Sequence, residues 1–226
     1  NLNAVFAAES GSGKSFFLNE LIVSYLSAGA QVWVIDAGKS YHKLCLALGG
    51  AFLAFDGESA VHLNPFAHVD DWEDEEDALV AVAAQMASAR GDLSEFQTAE
   101  IKRILKSLHD AGRLSVDALR EACLASGDRR TGDVGAQLYA FSSGGAYGRY
   151  FRGGQAQPLD GRFTVLELDE LQGRRHLRQV VLLELIEAIE RTMIRGDRSR
   201  KKLLIIDEAW DLLKDGAAAA FMEQAY

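Results

Sequence analysis

The stretch from residue 8 to residue 15, AESGSGKS, carries residue types that can bind a polyphosphate. Gly11 and Gly13 have no Cβ, so successive backbone N–H groups can turn inward around phosphate oxygens. We expect Lys14 to reach the β and γ phosphates and the Ser15 hydroxyl to ligate Mg²⁺. Ala8 stands where this motif usually begins with Gly. The sequence therefore predicts a P-loop with these nucleotide-binding residues: Glu9, Ser10, Gly11, Ser12, Gly13, Lys14, Ser15 and Phe16.

A second acidic motif, LLIIDE at 203–208, follows much later in the chain. Four apolar residues ending in two acids are a weak signal alone, but after a P-loop they are typical of a nucleoside triphosphatase. Asp207 would then hold Mg²⁺ together with Ser15. Glu208 would orient and deprotonate the attacking water, which is typically worth about 10² to 10⁴ in rate. The two motifs predict hydrolysis of a nucleoside triphosphate with Mg²⁺, with Glu208 and Lys14 as the catalytic residues.

The P-loop needs a strand before it and a helix after it, and both patterns are present. Residues 2–7 are an apolar run, and residues 14–28 have apolar side chains at helical spacing, from Phe16 and Phe17 to Tyr25. Residues 31–36, QVWVID, are typical of a buried parallel strand. Asp36 ends that strand, so it could face the nucleotide at the carboxyl edge of the sheet or serve as a capping or loop acid.

Further patterns predict an α/β core with a helical insertion. Strands are expected at 51–55 and 163–168, a short helix within 37–50, a turn at Asn64-Pro65 and a long helix at 174–195. No strand pattern appears from 71 to 159, where we expect helices at 74–89, 95–111, 115–125 and 132–141. Plausible N-caps are Asp92 or Ser94, Ser115 and Thr131, and plausible helix stops are Gly91, Gly112 and Gly127.

Composition argues weakly against nucleic acid as a partner. The chain has 226 residues, a formal net charge of −9 and a sequence pI of about 5.1, so its overall field repels phosphate backbones. Its two cysteines, Cys45 and Cys123, lack metal-ligand spacing and its five histidines are scattered, which fits a reducing cytosol better than a metal or disulfide framework. No apolar run approaches the roughly 20 residues that span a bilayer.

Two charged runs have more than one interpretation. Residues 70–77, DDWEDEED, are expected to form an acidic first helical turn that faces solvent, with a partner-docking patch as the alternative. Residues 195–202, RGDRSRKK, are expected to form a solvated loop, with an anion or subunit contact as the alternative. Neither run has the spacing that would bring metal ligands together.

With these residues in view, the chain resembles the TraC-like ATPases of conjugative type IV secretion systems, the VirB-four class. The resemblance extends beyond the two nucleotide motifs and runs in family order along most of the chain. It is carried by VIDAGKSYHKLCLALGGAFLAF at 34–55, LNPF at 63–66, GGAYGRYF at 144–151, TVLELDEL at 164–171 and IIDEAWDLL at 205–213.

The resemblance implies a RecA-like P-loop fold of the additional-strand type, a mostly parallel sheet flanked by helices with an all-α insertion. We expect the ATPase core at 1–70 and 160–226 and the insertion at 71–159. It further implies a cytoplasmic ATPase at the inner membrane, commonly hexameric, which works with other secretion components in pilus assembly and substrate transfer. The family's glutamine sensor and arginine finger are not found here, so we expect this stretch to bind ATP but to hydrolyse it weakly.

The alternative function is a DNA translocase or coupling protein of the HerA and FtsK group. The glycine-rich segment 142–154 interleaves aromatic residues with Arg149 and Arg152, which could stack on bases. A hairpin or irregular turn that buries its aromatic side chains explains the same residues and is the favoured interpretation. A nucleotide-gated docking module without turnover is a third possibility, but it would not need Glu208.

Overall fold

The computed structural model of the chain describes residues 13–55, 61–67, 69–152, 158–197 and 199–207. The strand expected at 2–7, the P-loop residues Glu9 to Ser12 and the proposed base Glu208 lie outside these ranges.

A four-stranded parallel sheet forms the centre of the described structure, as the sequence predicts. Its strands are β1 (Gln31–Asp36), β2 (Ala51–Ala54), β3 (Phe163–Glu167) and β4 (Lys202–Ile206), in the spatial order β2-β3-β1-β4. Every residue of β1 and β3 is buried, because helices cover both faces of a parallel sheet.

One face of the sheet is covered by α1 (Lys14–Ser27) and α2 (His42–Ala47). Leu18, Ile22 and Leu26 of α1 pack in a core cluster that includes Val34 of β1 and Val165 of β3. The prediction that Phe16 and Phe17 belong to this apolar face is wrong. Their side chains are 72% and 48% exposed, because they lie on the outward side of the first helical turn.

The other face carries the helical segment and the long helix that follows β3. The helices are α3 (Trp72–Ala87), α4 (Glu95–Asp110), α5 (Val116–Leu124), α6 (Arg129–Gln137), α7 (Gly148–Phe151) and α8 (Arg175–Arg195), with 3₁₀ turns at Leu138–Phe141 and Asp169–Leu171. Their buried side chains form one continuous core with Trp33 and Ile35 of β1. The domain boundaries at 70 and 160 stay a prediction.

Local capping explains where these helices begin. Ser94 forms a capping box with Gln97, and Ser115 caps α5 through the N–H of Ala118, as expected. Thr131 was expected to cap α6, but Asp128 does so, because its carboxylate accepts hydrogen bonds from the N–H groups of Arg130 and Thr131. The three predicted glycine stops all adopt positive φ.

The glycine-rich segment is an irregular turn with a short helix, and its aromatic side chains are tucked into the core. Tyr150 and Phe151 are 1% and 3% exposed, and Arg149 lies over the Tyr150 ring at 4.6 Å from its centroid. A Cβ at Gly148 would collide with the backbone carbonyl of Ser142, so the chain requires glycine there. The favoured interpretation of this segment as an aromatic-burying turn is therefore confirmed.

The acidic and basic runs contact each other. Asp71 caps α3, and Glu73 and Asp74 form the expected acidic, exposed first turn. The expectation is wrong for Glu75, which is only 5% exposed. Arg195 places one guanidinium nitrogen 2.6 Å from a Glu75 oxygen and another 2.7 Å from an Asp70 oxygen. Lys202, at the other end of the basic run, donates hydrogen bonds to the carbonyls of Met193 and Gly196. The two ends of this run are thus structural contacts.

Candidate functional site

The two predicted motifs meet at the carboxyl edge of the sheet. Lys14 is the first residue of α1, and Asp207 directly follows β4. The Lys14 Nζ lies 2.6 Å from Asp207 Oδ1, although 193 residues separate them in sequence. The Asp207 side chain is 5% exposed and that of Lys14 30%. Ligands of open α/β sheets bind beyond the carboxyl ends of the strands, which is where this pair lies.

The helix that begins at Lys14 has the geometry expected after a phosphate-binding loop. Gly13 adopts a left-handed conformation with φ +92°, which favours glycine, and no side chain caps the helix. The first N–H groups of a helix lack intrahelical partners and its dipole attracts anions there. Ser15 is partly buried in this first turn, and Phe16 beside it is largely exposed.

Tyr41 is the residue of this site that the sequence reasoning missed. Its side chain is fully buried, and its hydroxyl donates a hydrogen bond of 2.7 Å to Asp207 Oδ2. Burial is the larger cause of the raised pKa of Tyr41, and the hydrogen bond to Asp207 raises the pKa further. The phenol therefore stays protonated and acts as a donor. The two carboxylate oxygens of Asp207 therefore have different partners, a cation on Oδ1 and a phenol on Oδ2.

Two acids at strand ends hold the loop that delivers Tyr41. Asp36 Oδ2 accepts a hydrogen bond of 2.7 Å from the N–H of Ser40, so Asp36 acts as a loop acid, one of its two expected roles. Glu167, fully buried at the end of β3, accepts one of 2.7 Å from the N–H of Lys39. Burial raises the pKa of Glu167, against the lowering effect of its backbone hydrogen bonds. Lys39 is held at φ +56°, which is uncommon for a residue with a side chain.

The residues at this edge fit a magnesium ion. Mg²⁺ prefers oxygen ligands and is usually bound through one or two carboxylates plus substrate phosphates. Asp207 would supply a carboxylate, whose Oδ1 contacts Lys14 and whose Oδ2 accepts a hydrogen bond from the Tyr41 hydroxyl. Ser15 supplies a hydroxyl from the first turn of α1. Elsewhere in the described ranges, no three His, Cys, Asp or Glu side chains converge as metal ligands do.

Cys45 and Cys123 are both free and buried, and burial raises the pKa of each thiol.

Within the described ranges, no helix combines the length and apolar character that crossing a bilayer requires.

Comparison with known proteins agrees with this geometry. Residues 1–110 match the family of TraG P-loop domains. The chain is 31% identical over 242 residues to protein TraC of Escherichia coli K12, which covers 100% of this chain and 27% of TraC. The chain thus spans about a quarter of that curated relative's length.

Solved structures show the same fold. VirB4 of Thermoanaerobacter pseudethanolicus superposes with a TM-score of 0.79 at 21% identity, over 95% of this chain and 63% of that one. The bacterial conjugative coupling protein TrwB, in a form with sulphate, superposes with a TM-score of 0.61 at 16% identity, over 96% and 58%. TrwB bound to the ATP analogue ADPNP gives a TM-score of 0.58 at 15% identity, over 91% and 58%.

Proposed function

We propose that this chain, which is similar in sequence to TraC and to the TraG P-loop domains and in fold to VirB4, binds and hydrolyses ATP in the motor of a conjugative type IV secretion system. The observation that carries the proposal is the contact between Lys14 and Asp207 at the carboxyl edge of the sheet. In P-loop NTPases the lysine of the loop and the acid at the end of a strand act on the same nucleotide and Mg²⁺, and the contact between Lys14 and Asp207 is consistent with one shared site.

The proposed roles follow the chemistry of each side chain. Lys14 exchanges its contact with Asp207 for the β and γ phosphates, since an ammonium binds phosphate as a point charge. Ser15 and Asp207 hold the metal through their oxygens. When bound, Mg²⁺ supplies positive charge against the developing charge on the phosphates. Glu208 orients and deprotonates the attacking water, and Glu9 to Ser12 wrap the phosphates with their backbone N–H groups.

The wider setting is proposed from the resemblance. We place the ATPase core at 1–70 and 160–226 and the helical insertion at 71–159. The intact parent, meaning a longer protein that would contain this chain, would form a hexamer on the cytoplasmic side of the inner membrane. Other secretion components would dock there. ATP hydrolysis would power pilus biogenesis and the transfer of substrate or DNA. The chain spans 27% of TraC. We propose that this stretch alone hydrolyses ATP weakly, so turnover is best measured on the intact parent.

A DNA translocase or coupling protein is the second candidate. The fold likeness to the coupling protein TrwB favours it, whereas the net charge of −9 does not. A pore that binds DNA needs a basic surface. Arg195 of the basic run and Arg149 of the glycine-rich segment already have partners within the chain. The secretion motor is therefore the better account.

The test is ATP turnover by the intact parent, with and without duplex and single-stranded DNA across a salt series. We expect turnover that DNA does not change and that Glu208→Gln abolishes while ATP binding persists, because the base is lost but the P-loop is not. Undiminished turnover by Glu208→Gln would contradict the assigned base. Strong, salt-sensitive stimulation by DNA would support the second candidate instead, since phosphate contacts weaken steeply with salt.

A further inference from the structure

We propose that Tyr41 is a positioning residue of the magnesium site, which holds Oδ2 of the Asp207 carboxylate and so would leave Oδ1 for the metal. The inference rests on the proposed function, because it assumes that Asp207 holds Mg²⁺. It adds a residue that belongs to neither nucleotide motif and acts through Asp207, without a contact of its own to ATP.

The hydrogen bond is the first observation. The Tyr41 hydroxyl lies 2.7 Å from Asp207 Oδ2, and the two side chains are 0% and 5% exposed. A carboxylate oxygen accepts hydrogen bonds and the phenol hydroxyl donates one, so the Tyr41 hydroxyl favours one orientation of the Asp207 carboxylate plane. The backbone N–H of Asp207 donates to the Ile35 carbonyl at 2.9 Å, which fixes the other end of the same residue.

Lys14 cannot perform this positioning. Its ammonium contacts Oδ1, and its side chain is 30% exposed on a flexible four-carbon stem. In the proposed reaction it moves to the phosphates, so its contact with Asp207 does not last. Tyr41 has a rigid ring packed in the core cluster with Ile22, Val34 and Cys45. The phenol on Oδ2 can therefore stay in place while the partner of Oδ1 changes.

The loop that carries Tyr41 is itself fastened to strand ends. Asp36 accepts the N–H of Ser40, and Glu167 accepts the N–H of Lys39, each at 2.7 Å. The Tyr41 carbonyl accepts the N–H of Cys45 at 2.9 Å as α2 begins. β1, β3 and α2 thus fix the position of the hydroxyl, as expected for a group that orients a metal ligand. Such supporting groups typically change metal affinity or activity by 10- to 100-fold when removed.

A merely structural role is the competing explanation. A buried tyrosine hydroxyl usually needs a hydrogen-bond partner, and Asp207 could serve only that need. The two explanations differ in what Tyr41→Phe does. This substitution keeps the ring and leaves Asp207 Oδ2 without its donor. A structural role would lower stability alone, whereas a positioning role would weaken Mg²⁺-dependent nucleotide binding.

The experiment is equilibrium binding of the non-hydrolysable analogue ADPNP to this 226-residue chain across a Mg²⁺ titration, with parallel thermal melts. For Tyr41→Phe we expect a rise of about tenfold in the Mg²⁺ concentration that gives half of the maximal Mg²⁺-dependent gain in ADPNP binding. Binding of ADPNP in EDTA should be unchanged. Tyr139→Phe is the matched control, because its hydroxyl is on a 54% exposed side chain and donates only to the Gly144 carbonyl. The control should titrate like the wild type.

A double-mutant cycle with Asp207→Asn provides the second measurement. If Tyr41 acts through Asp207, then Tyr41→Phe adds no further loss of Mg²⁺ dependence in the Asp207→Asn background. Equal losses in both backgrounds, an unchanged Mg²⁺ midpoint, or loss of the cooperative melt in Tyr41→Phe would each overturn the inference while leaving ATP binding by the wild type intact. Absence of Mg²⁺-dependent binding in the wild type would instead refute the proposed function itself.

Discussion

Replacing Glu184 by Gln should make the protein more stable at alkaline pH but not at acidic pH. Glu184 lies on α8, and its side chain is 1% exposed. Burial raises its pKa to about 7, although the Arg191 guanidinium 3.1 Å away favours the charged form. The nearby carboxyls of Glu187, on α8, and of Glu75, on α3, raise it further.

The direction follows from proton linkage. The carboxyl has an ordinary pKa of 4.5 and a pKa of about 7 in the folded protein, so the folded state binds more protons between these values. Stability contributed by the protonated carboxyl is complete below pH 4.5 and is lost as the pH rises through 7. One pKa unit corresponds to about 1.4 kcal/mol, so the rise in the Glu184 pKa from 4.5 to about 7 corresponds to about 3 kcal/mol of unfolding free energy. Between pH 5.5 and pH 8 the folded protein loses about 2 kcal/mol of this unfolding free energy.

The assay is urea unfolding of the wild type and Glu184→Gln at both pH values. Gln keeps the shape and stays neutral, so its stability relative to the wild type should rise by about 2 kcal/mol from pH 5.5 to pH 8. Glu121→Gln on the exposed side of α5 is the control and should follow the wild type. Parallel profiles for wild type and Glu184→Gln would refute the reasoning, because they would mean that Glu184 is ionised throughout.

Three further substitutions test the packing and the caps by denaturant unfolding. Gly50→Ala should destabilise by about 1–3 kcal/mol, since its Cβ would lie 2.9 Å from both Cys45 Sγ and Phe163 Cδ1. Gly132→Ala, where a Cβ meets nothing within 4 Å inside α6, should instead stabilise by about 0.5–1 kcal/mol. Asp71→Ala should cost about 1 kcal/mol, because Asp71 accepts the N–H of Glu73 at the start of α3. Equal effects at Gly50 and Gly132, or a neutral Asp71→Ala, would contradict these assignments.

Local patterns were sufficient to predict most of the fold. Continuous apolar runs predicted the four strands, because strands of a parallel sheet that is covered on both faces are apolar along their length. Glycine stops and Ser caps gave the helix limits to within a few residues. The proximity of Lys14 and Asp207 also followed, because carboxyl ends of parallel strands share one edge. The role of Glu208 is still a prediction, since that residue lies outside the described ranges.

Contacts between distant parts of the chain could not be predicted in the same way. Tyr41 meets Asp207 across 166 residues, and Arg195 meets Glu75 across 120. Neither pair has a spacing that local periodicity could reveal. An aromatic residue shortly after a buried strand that ends in an acid is the signal that could have pointed to Tyr41. The burial of Glu75 within a run of exposed acids depends on where α8 packs, which no local pattern states.

The most direct test of the ATPase assignment is equilibrium binding of ATP with Mg²⁺ to the wild type and to Lys14→Ala. Charge-assisted hydrogen bonds contribute about 1.5–3 kcal/mol, so we expect Lys14→Ala to bind at least about tenfold more weakly. Lys43→Ala, which removes an exposed lysine of α2, is the control and should bind like the wild type. Wild-type affinity in Lys14→Ala would contradict the P-loop assignment on which the whole account depends.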